Sequence, residues 1–265
     1  MAESPGPDAP ASGRRARLPR VSRRTLLTGA AAGGGLALAW ALWPRRYDQM
    51  ADAAPGETAL GAFVKIDRTG QVIVLVPQAE LGQGVFTQFA QIAADELGAD
   101  WRAVAVQPAP HSPVYANRLL AREWFDGPVK RAFGTWADRA IDDYARRNML
   151  MLTGGATSVE NFGEDLRAAG AGARVLLCMA AAARWDVRWE SCDIVGGIIT
   201  KDTHRARIGE VAQEAGAFTL PAVLPYRPED RDDRLVGTDA PRLDVPAKID
   251  GSANYAADIR LPDMV

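Results

Sequence analysis

Two short apolar runs rich in β-branched residues, Phe63 to Ile66 and Val72 to Val76, the second with Val72, Val74 and Val76 at alternate positions, stand on either side of Thr69-Gly70. Two such strand-like runs on either side of a polar turn predict a β-hairpin beginning near Ala62. After Pro77 and the glycine-flanked glutamine Gly82-Gln83-Gly84 the period changes. Phe86, Phe89, Ala90, Ala93 and Leu97 recur at helical spacing, so an amphipathic helix opens directly out of the glycine loop. Ala103 to Gln107 reads as a strand that ends in the breaker-rich Pro108 to Pro113. The stretch from Tyr115 to Arg147 has no clear period and reads as an insertion, with a charge-laced helix from Ala137 to Leu150. Thr153 to Trp185 repeats the earlier logic, with glycines and hydroxyl residues followed by a long alanine-rich helix. Thr157 or Ser158 supplies its N-cap, and Leu166, Val175, Leu176 and Met179 mark its buried side. A strand, a Gly196-Gly197 turn, a second strand and an amphipathic segment from Ile208 to Ala215 complete the pattern.

These elements predict an α+β unit over 62–218, in which a small mixed sheet carries two main helices whose N-terminal loops converge. From Leu220 onward prolines and charges dominate, which predicts an extended linker over 219–265 with no helix in it. Glu229, Asp230, Asp232 and Asp233 lie among arginines there and read as a solvated connector, not a metal site.

Over the 265 residues the net charge of −2 says little, but its distribution does. Arg14, Arg15, Arg17, Arg20, Arg23 and Arg24 crowd the start and run into an uncharged stretch from Thr25 to Trp43. A nucleic-acid arm is excluded, because the positive charge stops there and the folded region has no basic stripe interleaved with aromatics. Instead, the Arg23-Arg24 pair ahead of a Gly- and Ala-rich apolar run resembles a twin-arginine export signal, which makes residues 1–61 a signal and linker. An ordinary membrane anchor is the other reading, since the run is about the minimum length for a bilayer crossing. Both put the body outside the cytoplasm, periplasmic or anchored facing the periplasm. The twin-arginine translocase carries folded cargo, so such a signal implies a cofactor loaded before export. Two cysteines, Cys178 and Cys192, and two distant histidines, His111 and His204, cannot hold an iron–sulfur cluster or a tetrahedral zinc ion. Cys178 reads as a buried thiol.

The glycine loop admits two readings. Gly82 and Gly84 remove side chains that would block close approach, and a helix start offers amides and a favourable dipole to a phosphate or a polar cofactor edge. A strand-to-helix turn without a ligand fits the same spacing.

Four segments carry a family resemblance: PQAELGQGVFTQFAQIAADELGADW from Pro77, YANRLL from Tyr115, TGGATSV from Thr153, and VGTDAPRLDVPAKIDGSANYAADIRLPDM from Val236. In this order, behind the twin-arginine segment, they resemble the isoquinoline 1-oxidoreductase beta-subunit type of large molybdenum hydroxylase subunit, in the xanthine dehydrogenase and aldehyde oxidase superfamily. The resemblance implies that Gly82, Gln83, Gly84 and Thr87 in the first loop, and Gly154, Gly155, Thr157 and Ser158 in the second, contact molybdopterin cytosine dinucleotide with its molybdenum. Ala156 stands where the family more usually has serine, which removes one hydroxyl. The intact enzyme implied would hydroxylate N-heteroaromatics or aldehydes and pass electrons to a small subunit carrying [2Fe–2S] clusters. The family's late glutamate base has no counterpart, since neither Glu80 nor Glu96 lies in that motif, and no catalytic residue is assigned. The chain stops where the family's main body begins, which implies a fragment or a split subunit completed by a second chain, not catalytic alone. The competing reading is a non-catalytic exported binding module that keeps the fold. The enzyme reading requires both glycine loops on one surface, with amides facing a shared cleft. It also predicts an exposed apolar patch where the missing body would sit.

Overall fold

The predicted hairpin turns on Asp67, whose carboxylate accepts hydrogen bonds from the amides of Thr69 (2.8 Å) and Gln71 (2.9 Å) and from the Thr69 hydroxyl (2.7 Å). This Asx-type closure holds β2 (Val64–Asp67) against β3 (Val72–Val76). The computed structural model describes residues 47, 50–127, 131, 134–262 and 264. Arg23, Arg24 and the rest of the export segment lie outside the described residues.

β1 (Glu57–Ala59) pairs antiparallel with the outer edge of β2, where Lys65 Nζ reaches Glu57 Oε2 at 2.6 Å. The chain leaves β3 through the glycine loop into α1 (Val85–Leu97) and returns as β4 (Val104–Pro108), parallel to β3. Parallel neighbours need a crossover of this kind. The sheet therefore runs β1-β2-β3-β4 and is mixed. A second, antiparallel sheet holds β5 (Asp193–Val195), β6 (Ile198–Lys201) and β7 (His204–Arg207). Its first turn is the Gly196-Gly197 pair, at φ 56° and 75°, as a two-residue hairpin of matching twist requires. The α+β class holds, with the strands divided between two small sheets.

Among the described residues the insertion after β4 is formed by α2 (Arg118–Trp124) and α3 (Thr135–Arg147), around a small core of Ala116, Ala121 and Ala145. α3 ends short of the expected Leu150 because Met149 takes φ 48°, outside the helical region. The main core joins the first sheet, α1, α4 (Ser158–Trp185) and α5 (Ile208–Ala215). Phe162 of α4 packs between Phe89 and Phe63, with ring centroids 5.8 and 6.4 Å away. α1 and α4 approach so closely at Gly170 that a Cβ there would lie 2.3 Å from the carbonyl oxygen of Ala93. α4 is long and apolar enough to cross a membrane, yet 67% of its most apolar window is buried within the fold. Cys178, on α4, is buried and free, and burial pushes its thiol pKa up to about 12.

One expectation for the C-terminal segment is corrected. A helix does form, α6 (Val245–Ile249), because Pro246 stands in the first turn, where its missing N–H costs nothing. The segment's acids Glu229, Asp230, Asp232 and Asp233 are exposed, as expected, while the side chain of Arg227 is buried and that of Arg231 partly so. Asp233 pairs with Arg227 (3.4 Å) and Arg231 (3.0 Å), and Glu229 pairs with Arg167 (3.1 Å). Carboxylates of α1 hold the same stretch: Asp95 takes Arg231 at 2.7 Å, and Glu96 accepts the amide of Arg227. The segment is thus strapped onto α1 by buried acids whose partners lie far along the chain.

Candidate functional site

The first loop runs from Ala79 to Gly84, and its shape rests on Glu80. The Glu80 carboxylate accepts the amides of Gly82 (2.8 Å), Gly84 (2.9 Å) and Phe86 (3.1 Å). Burial pulls its pKa up, but these three amides outweigh burial and hold the carboxyl below its ordinary range. The amides around Gly82 and Gly84 that the sequence offered to an external anion are therefore already bound, and the anion is the protein's own. Glycine at 82 and 84 answers to backbone angle, with φ 100° and 86°. Gln83 is exposed and folds onto its own loop, accepting the Leu81 amide (2.5 Å) and donating to the Ala79 carbonyl (2.8 Å). Thr87 is buried inside α1, and its hydroxyl accepts the amide of Leu243 at 3.1 Å.

The second loop is built differently. Thr157 stands at the N-cap position of α4, yet neither it nor Ser158 caps the helix. The Thr157 hydroxyl donates to the Gly154 carbonyl (2.9 Å) and accepts Asn117 Nδ2 (2.9 Å), while the Ser158 hydroxyl donates to Gln78 Oε1 (2.9 Å). Among the described residues the amides of Gly155, Ala156 and Ser158 have no hydrogen-bond acceptor, so this helix start keeps open donors on its exposed loop, while at the first the unbonded amides are those of the buried Val85 and Thr87. One charge stands against a bound anion: Glu123 Oε2 would lie 2.7 Å from a Cβ at Gly155. Gly155 and Ala156 both take left-handed angles, φ 61° and 54°. For alanine this costs about 1–2 kcal/mol, partly offset in a glycine variant by the greater freedom of the unfolded chain. Ala156→Gly is expected to stabilise the fold by about 0.5–1 kcal/mol in a urea titration. A loss of stability would show the angle to be unstrained.

The structure brings the two loops together at their bases. The Ala79 amide donates to Thr153 Oγ1 (2.8 Å), Gln78 Nε2 donates to the Leu152 carbonyl (3.2 Å), and Ser158 bonds Gln78 as above. Gly82, Gln83, Gly155 and Ala156 lie exposed on the loops so joined, with Thr87 and Thr157 buried beneath. Leu81, 74% exposed, stands at the tip of the first loop, and Leu152 and Val159 flank the second. The surface is a ledge. Clefts of about 200, 280 and 340 Å³ are lined by other residues.

Sequence reasoning missed Gln78, Glu80, Asn117 and Arg242. Gln78 and Asn117 are buried polar residues that join the loops, and each falls inside a segment quoted above for other reasons. Arg242 donates to the Gly82 carbonyl (3.2 Å) and to Glu80 (3.3 Å) from the far end of the chain, which no local pattern signals.

The ledge fits a polar, partly anionic cofactor through its second loop, where open amides and small residues allow backbone approach. Its first loop offers the Gln83 side chain and loop carbonyls. Among the described residues no cluster of His, Cys, Asp and Glu could itself ligate a metal ion, so any metal here would be carried by the cofactor.

Comparison with known proteins follows the same line. A family model described as a molybdopterin cofactor-binding domain matches residues 16–116, which takes in the first loop and stops before the second. The chain is 28% identical over 93% of its length to isoquinoline 1-oxidoreductase subunit beta of Brevundimonas diminuta, covering 33% of that protein. It is 26% identical over 80% of its length to a membrane-bound aldehyde dehydrogenase named for pyrroloquinoline-quinone from Gluconacetobacter polyoxogenes, covering 24% of it. Among solved structures, quinoline 2-oxidoreductase from Pseudomonas putida 86 aligns with 58% of the chain and 15% of its own, at 22% identity and a TM-score of 0.37. The chain thus spans a third or less of the length of these relatives.

Proposed function

We propose, for a chain that belongs to the large molybdopterin-binding subunits of the isoquinoline 1-oxidoreductase beta type, that the two joined loops form part of a molybdenum cofactor's binding surface. The observation that carries this reading is the pairing of the loops at Ala79–Thr153 and Gln78–Ser158, which brings the matched glycine segments side by side. Gly155, Ala156 and Ser158 present amides to the anionic part of the cofactor, and Gln83 offers both a donor and an acceptor. When bound, the cofactor supplies a redox-active molybdenum centre able to hydroxylate an N-heteroaromatic ring or an aldehyde. The residues of this chain bind and orient it, and its reactive step needs groups supplied by further chain.

The cofactor is the cytosine dinucleotide form, and electrons leave through a small [2Fe–2S] subunit. The whole is exported by the twin-arginine route and works in the periplasm or anchored facing it. A second reading, an exported module that keeps the fold without the cofactor, draws on Glu80's hold on the first-loop amides and on Glu123 beside Gly155.

Metal and cofactor content separate these readings. The chain, produced in cells that make molybdenum cofactor, is expected to carry molybdenum and an extractable pterin. Ala156→Asp keeps an angle that aspartate tolerates but adds a negative charge, and it is expected to reduce pterin content about fivefold or more without loss of folding. Wild-type chain free of both molybdenum and pterin would leave the module reading. A bound quinone in their place would tie the chain to the chemistry named for its aldehyde dehydrogenase relative.

A further inference from the structure

We propose that Arg242 is the positioning residue of the first glycine loop, so that the form of this loop is set by a strap 160 residues further along the chain. The argument starts from what the loop lacks. Leu81, Gly82 and Gln83 are exposed, two glycines widen the backbone's freedom, and no apolar side chain pins the tip, so polar bonds must offset the cost of ordering it. Nearly all of those bonds are local. Glu80 holds amides two, four and six residues ahead, and Gln83 closes on Ala79 and Leu81. A set of bonds internal to one loop can swing as a unit. Among the described residues, the hydrogen bonds that tie residues 80–84 to a distant part of the chain come from one side chain: Arg242 Nη2 to Glu80 Oε1 and Nη1 to the Gly82 carbonyl.

Arg242 is itself fixed. Asp244, with a buried side chain, takes its Nε at 3.0 Å and its Nη2 at 2.8 Å in a bidentate pair, and accepts Lys248 as well. The guanidinium therefore bridges two carboxylates, Glu80 and Asp244, which would otherwise repel each other across the loop. The strap that carries it is docked on α1 and the following turn. Gln91 donates to the carbonyls of Leu235 (3.3 Å) and Thr238 (3.2 Å), Trp101 Nε1 to that of Pro241 (3.3 Å), and the Leu243 amide to Thr87. Arg242 thus hands the rigidity of α1 back to the loop at its N-terminus. The assignment deepens the cofactor reading only in its meaning for binding, because the geometry itself is present without cofactor.

Hydrogen exchange on the full chain, without cofactor, tests it. Arg242→Ala is expected to speed exchange of the Gly82, Gly84 and Phe86 amides by about tenfold or more, with the β2–β3 hairpin unchanged. Arg242→Lys keeps the cation but reaches fewer acceptors, and is expected to recover part of the protection. Unchanged loop exchange in Arg242→Ala, or no recovery in Arg242→Lys, overturns the assignment. Should Arg242→Ala loosen the hairpin too, Asp244→Asn decides: faster loop exchange alone supports the role, and unchanged loop exchange refutes it. Each result is independent of molybdenum content, so failure here leaves the cofactor reading standing, and failure of that reading leaves this result standing.

Discussion

Glu96→Ala is expected to cost about 3–5 kcal/mol of folding stability, read from urea titration with the slope checked for two-state behaviour. Glu96 lies on α1 and is only 3% exposed. Its carboxylate accepts the amide of Arg227 and lies 3.4 Å from Arg167 and 3.8 Å from Arg174. Burial pulls the pKa of Arg174 down and Arg227 adds to this, while Glu96 acts to raise it. Removal of the acid leaves an amide without its acceptor and mutually repelling guanidiniums in a poorly hydrated place, which is why the cost exceeds that of an exposed pair, about 0–1 kcal/mol. Glu96→Gln keeps an acceptor for the Arg227 amide and should lose less. A loss below about 1 kcal/mol in Glu96→Ala would mean that water reaches these arginines and that the strap is held by other groups.

Gly170→Val is expected to cost about 3 kcal/mol or more, because its Cβ would lie 2.3 Å from the carbonyl oxygen of Ala93 and 3.0 Å from the Glu96 Cβ. Helix propensity works the other way: an α-helix gains about 1 kcal/mol when alanine replaces glycine in its interior. At this position the gain loses, since the obstacle is backbone and cannot rotate away, and α1 and α4 must separate. Gly170→Ala gives the sign test. A stability equal to or above wild type would show that the two helices slide apart cheaply. Thermal or urea midpoints of the pair measure both variants against one baseline.

These two residues show where sequence reading reaches and where it stops. The hairpin at Thr69-Gly70, the Gly196-Gly197 turn and the helical phase of Phe89, Ala93 and Leu97 are local patterns, and each forms as its period dictates. The convergence of the two glycine loops is expected from the order of strands and helices, but the residues that perform it, Gln78 and Asn117, carry no periodic signal. Glu96 looks like a surface charge on an amphipathic helix, because its partners stand 71, 78 and 131 residues later. The glycines of the first loop admit both an opening for an outside anion and a plain strand-to-helix turn. Glu80, two residues before Gly82, takes the anion's place, and its choice between solvent and three amides depends on a backbone path that spacing alone does not define. The C-terminal segment reads as an extended linker because prolines and charges dominate it, yet such a segment docks well where buried acids await its arginines.

Span in sequence also sets an order in time. The bonds that join the two loops close 74 to 80 residues of chain, and those from Arg242 close 160 and 162, whereas the β2–β3 hairpin closes over a few. Long closures pay their entropy before any contact rewards them, so they come late on the way to the native state. The ledge is therefore finished last. On the cofactor reading proposed above, the sheet and α1 would stand before the complete binding surface does.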